Sequence, residues 1–136
     1  MIENKPLIYF AHPVGSYGTK LEQEIILFLE KDWTVINPNR PEIQILCGKN
    51  MANYCRIIND FAQAVVGLSY GDGKWGAGVY LELLAGSNKG IPLFQVEVSD
   101  RGLKLKNLNS KKIVPLSIEN TVGRNYCEKW NFKFLG

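Results

Sequence analysis

The chain has 136 residues, enough for one domain around a single core. Hydrophobic residues make up 46% and charged residues 21%, which excludes a disordered chain, and no apolar run approaches the roughly 18 residues of a membrane span. The formal charge of +3 is too mild for a binder of nucleic-acid polymers but suits a small anionic ligand.

Residues 7–11, "LIYFA", form a short apolar run rich in β-formers and read as a buried first strand. "HPVGSYG" follows as a loop. Thr19 and Glu22 then carry a capping-box spacing, and Leu21, Ile25, Phe28 and Leu29 line one helical face. "WTVINP" is a second strand stopped at Asn37-Pro38, and residues 39–48 lack a period and read as a loop. Tyr54, Ile57, Ile58 and Phe61 return to helical spacing, and "AVVGLSY" is a third strand of the fully buried kind. After the glycine-rich loop "YGDGKWG", "AGVYLELLAGSNKG" reads as a helix closed by Gly90. "IPLFQVEV" is a fourth strand and "KIVPLSI" a weaker fifth. Residues 119–136 are a C-terminal helix or docking tail.

Regular alternation of continuous apolar strands with helices predicts an α/β fold with a mostly parallel five-stranded sheet covered on both faces. Right-handed crossovers make it doubly wound and Rossmann-like, as one domain over residues 1–136. The N-terminus does not read as a signal peptide. Cys47, Cys55 and Cys127 are widely separated and only one histidine is present. No metal or other cofactor is therefore expected, and free thiols point to a cytoplasmic location.

In such a sheet a ligand sits beyond the carboxyl ends of the strands, near the switch in strand order. The segments delivered there are "HPVGSYGT", "NPNR" with Asn37, and "YGDGKWGAGVYLE". In the first, Gly15, Ser16, Gly18 and Thr19 precede a helix and could bind an anion through amides and hydroxyls, or simply make a capped turn. His12 is either an acid or ligand hydrogen-bonder, or a structural histidine tied to nearby backbone. In the third, Gly76 and Gly78 permit close approach to backbone. Gly78 and Glu82 are four apart and share a helical face, which points either to the crevice or to solvent. Tyr9 falls inside the first strand.

These residues together resemble the nucleoside 2-deoxyribosyltransferase superfamily, including the N-glycosidases of 2-deoxynucleoside 5-monophosphates. The resemblance is carried by "LIYFAHPVGSYGT", "AVVGLSY" and "GAGVYLELLAGSNKGIPLF", within residues 7–96. It implies a retaining mechanism in which Glu82 is the nucleophile, Tyr9 orients it, and the "GSYGT" loop holds the 5-hydroxyl or 5-phosphate. The chain departs from the family at Gly76, where an acidic or hydroxyl residue is usual, and at Ala64, where an aspartate is. Asp60 and Asp72 are the nearby acids that could substitute, and Asp72 is the candidate third catalytic group. The expected ligand is a nucleoside, nucleotide or derivative, turned over at its N-glycosidic bond or, in the alternative, held without turnover by a sensor or sponge. The resemblance also implies a homo-oligomer in which a neighbouring subunit's tail, with Tyr126, Trp130 and Phe132, completes the site; the same tail could pack on its own core.

Overall fold

The computed structural model describes residues 4–125, so the aromatic tail, with Cys127, lies outside the described residues. Strands β1 (Leu7–Ala11), β2 (Thr34–Ile36), β3 (Ala64–Gly67), β4 (Leu93–Ser99) and β5 (Gly102–Asn107) form one sheet in the order β2-β1-β3-β4-β5. The first four are parallel, and β5 runs antiparallel to β4. Helices α1 (Lys20–Leu29), α2 (Pro41–Cys47), α3 (Met51–Phe61), α4 (Ala77–Lys89) and α5 (Ile118–Asn125) supply the crossovers and flanks. The fold is α/β, Rossmann-like and doubly wound.

Two cores follow from the period of the strands. Ile8, Phe10, Ala64 and Val66 point to one face and pack with Leu21, Ile25 and Leu29 of α1. Tyr9, Ala11 and Val65 point to the other and pack with Ile58 of α3 and with Val79 and Leu83 of α4. Helix α4 approaches the sheet closely because it carries Gly86. A Cβ there would lie 2.7 Å from Val65 Cγ2 and 2.9 Å from Leu93 Cδ2, distances no real side chain tolerates. Gly90 ends the helix in the left-handed conformation, φ 82°, as the sequence predicts.

Two expectations are corrected. Residues 41–47 are not loop but α2, with Pro41 at its start and Gly48 (φ 59°) just past its end. Its period is invisible because Ile45 and Leu46 are turned to solvent. The fifth strand is not "KIVPLSI" but "GLKLKN", whose Leu103 and Leu105 face the α1 core while Lys104 and Lys106 face outward. "KIVPLSI" instead lays Pro115 beside Trp75 as an isolated bridge and buries Ile113. Among the described residues no helix is long and apolar enough to cross a membrane.

Candidate functional site

The order 2-1-3-4-5 places the switch point between β1 and β3, and an open cleft of about 510 Å³ lies there, beyond their carboxyl ends. Glu82, in the second turn of α4, is 5% exposed at its base, although glutamates on helices usually face water. The Tyr9 hydroxyl, fully buried on β1, donates a hydrogen bond to Glu82 Oε2. Glu82 Oε1 has no hydrogen-bond partner among the described residues, and the residue lines the cleft. Burial pushes the carboxyl up to about 8, with the Tyr9 hydrogen bond pulling part of the way back. Burial also raises Tyr9, as does the neighbouring Glu82 charge, so the phenol keeps its proton.

The first turn of α4 leaves two donors open. Gly76 supplies no side-chain cap, and the Gly78 and Val79 amides have no hydrogen-bond acceptor among the described residues. Both residues line the cleft, as does Lys49, the one lysine or arginine in its lining among the described residues. Three tyrosines complete the wall. Tyr54 donates to Gly48 O at 2.7 Å and Tyr70 to Asn125 Oδ1 at 2.6 Å. The Tyr17 hydroxyl makes no hydrogen bond among the described residues; burial, then Glu82 and its acidic surroundings, raise it and hold the proton.

The "GSYGT" loop is not the anion site its glycines suggest. Its donors are spent inside the protein. Ser16 N and Oγ both reach Pro13 O, Tyr17 N reaches Val14 O, Gly18 N reaches Glu22 Oε1, and Thr19 N and Oγ1 reach Ser16 O. Gly15 N donates to Asn125 Oδ1 at 3.3 Å. Thr19 does cap α1, accepting from Glu22 N, but the reciprocal half of the capping box is missing because the Glu22 carboxylate turns inward.

There Glu22 meets His12. The imidazole Nδ1 is 2.8 Å from Phe10 O and Nε2 is 2.7 Å from Glu22 Oε2, both side chains being buried. Both ring nitrogens are thus engaged inside the protein. Burial would raise Glu22, but the hydrogen bonds from His12, Gly18 and Asn39 outweigh it and hold the carboxyl below its usual range. His12 is therefore the structural histidine of the two readings, stacked on Phe10 at 3.8 Å, and it borders the cleft with no nitrogen left for a ligand.

Two other candidates fall away from the site. Asn37 accepts from Asn39 N and belongs to a groove beside β2; Asn39 lines the cleft in its place. Asp72 is absent from the lining and pairs with Arg124 at 2.9 Å, an interaction that depresses its carboxyl. Asp60 is exposed on α3. The structure thus brings Tyr9, His12, Gly76, Gly78 and Glu82 together, and adds Tyr17, Asn39 and Lys49, which sequence reasoning did not single out. Tyr17 and Asn39 stand inside the loops read as ligand-facing; Lys49 follows a helix that the sequence did not announce. Among the described residues no group of His, Cys, Asp and Glu is arranged to hold a metal ion. Comparison of the chain with protein-family models, curated proteins and solved structures finds no match.

Proposed function

We propose that the cleft binds a nucleoside or nucleotide and that Glu82 cleaves or transfers its N-glycosidic bond. One observation carries this reading: a buried carboxylate, held through one oxygen by Tyr9, that lines a cleft at the strand switch point. In its ionised form Glu82 Oε1 bonds to the anomeric carbon while the carbon–nitrogen bond breaks and its electron pair leaves with the base, which takes up a proton. Water or a second base then attacks the glycosyl ester and returns the carboxylate. Tyr9 fixes the carboxylate's rotamer and favours its charge. The open Gly78 and Val79 amides, the helix dipole and Lys49 suit a 5-hydroxyl or 5-phosphate. The unengaged Tyr17 hydroxyl suits a hydrogen bond to the departing base.

A second reading, a binder that holds such a ligand without turnover, is favoured by the acid count. Glu82 is the one acid lining the cleft among the described residues, and a missing leaving-group acid removes about 10²–10⁴ in rate. Incubation with nucleosides and 2-deoxynucleoside 5-monophosphates, with free base followed by chromatography and thermal shift read in parallel, separates the two. Base release that Glu82→Ala abolishes supports the enzyme. Stabilisation without release supports the binder, and absence of both refutes the two readings together.

A further inference from the structure

Helix α5 reaches two of the loops that border the cleft, the one after β1 and the one between β3 and α4. Thr121 Oγ1 donates to Ser117 O, just before the helix, and accepts from Ala77 N at 2.9 Å, filling the cap position that Gly76 leaves empty. Asn125 Oδ1 accepts from Tyr70 OH at 2.6 Å and from Gly15 N at 3.3 Å. Arg124 pairs with Asp72 and lies over the Tyr70 ring.

Two of the four glycines that the sequence offers to a ligand, Gly15 and Gly76, pack against this helix. A Cβ on Gly15 would lie 3.2 Å from the Asn125 Cα and carbonyl oxygen, and one on Gly76 would lie 3.4 Å from Thr121 Cγ2. Yet α5 buries none of its own residues, and its apolar Ile118 and Val122 face solvent at 76% and 50% exposure. An element docked by polar links over little apolar area belongs to the low-stability end of a structure.

We propose that α5 is a displaceable strap that occupies donors of the cleft with its own oxygens and yields them to a multi-oxygen anion of the phosphate type. Thr121 and Asn125 line the cleft beside Gly78 and Val79, so undocking α5 adds Ala77 N–H and Gly15 N–H to the two amides already open. Occupant and strap compete for the same groups, so binding is weaker than the site's intrinsic affinity by the docked fraction. The inference does not depend on whether the cleft turns over a substrate.

Residue-resolved hydrogen exchange on the whole protein tests it, with inorganic phosphate as the probe. The amides of Gly15, Ala77 and residues 118–125 are expected to exchange as one unit, about tenfold or more faster than Leu83 and Val65. Phosphate should protect Ala77 and Gly15 while accelerating residues 118–125. Thr121→Val with Asn125→Leu, and separately Gly15→Ala, should each tighten phosphate binding about fivefold or more without loss of the folded state. The proposal is overturned if Ala77 exchanges only with Leu83, if phosphate protects α5 along with Ala77, or if neither variant changes phosphate affinity. Unfolding of both variants would overturn it too, by showing α5 to be part of the core.

Discussion

Among the described residues Glu82 pairs with no cation, and its one hydrogen-bond donor is Tyr9. With the carboxyl at about 8, roughly a tenth of the protein carries the ionised nucleophile at pH 7. If the proposed chemistry holds, kcat/KM should climb about tenfold per pH unit below 8 and level off above it. Tyr9→Phe removes the interaction that favours the charge, so the inflection should move up and activity at pH 7 should fall; an unmoved inflection would show that Glu82 is not the titrating nucleophile. Stability carries the opposite sign. The folded pKa lies above the usual 4.5, so the stabilisation of neutral Glu82 is complete below pH 4.5 and is lost as pH rises through 8. Glu82→Gln should therefore stabilise the protein at pH 9 by on the order of 3 kcal/mol and change little at pH 5, in denaturant unfolding at the two pH values. The sequence placed Glu82 and Gly78 on one face. It did not show which way that face turned, because Tyr9, the residue that claims the carboxylate, lies 73 positions away.

Helix α4 positions that carboxylate through its contact with the sheet. Gly86 sits against Val65 and Leu93, so Gly86→Ala forces the helix outward. It should cost about 1–2 kcal/mol despite alanine's better helix propensity, and the displacement should loosen the Tyr9–Glu82 bond. Gly78→Ala makes the contrast. Its Cβ would meet only the mobile end of Met51, at 2.9 Å, so thermal unfolding should show little loss. A family-style reading of "GAGVYLE" gives weight to Gly78, whereas packing gives it to Gly86, which no local pattern distinguishes. The same limit explains α2 and β5. The proline-first, glycine-after signature of α2 was readable, but its outward Ile45 and Leu46 broke the apolar period. In β5 the Leu-Lys alternation was readable too, as a strand half exposed at the sheet edge, a pattern unlike the continuous runs that announced the parallel strands.

Two buried carboxylates divide the pH response of the whole molecule. Glu22 is held low, so its contribution is complete above pH 4.5 and lost as pH falls. Glu82 is held high and loses its contribution as pH rises. Stability should therefore peak near pH 5, in the window both favour, and a maximum at pH 8 or above would contradict the Glu82 environment. Glu22→Gln should weaken the buried hydrogen bonds to His12, Gly18 and Asn39 and cost about 1–3 kcal/mol, read by denaturant unfolding at pH 5. By itself the sequence determined the alternation of apolar strands and helices, hence a doubly wound parallel sheet, and which loops meet at its carboxyl edge. Those follow from local period and from the handedness of crossovers. Only the tertiary structure decided which groups in those loops remain open to a ligand. Hydrogen-bonding capacity is consumed by partners remote in the chain: Asn125 takes Gly15 across 110 residues, Arg124 takes Asp72 across 52, and Glu22 takes His12 across 10. Which donor is spent depends on where the chain folds back, and no local pattern records that.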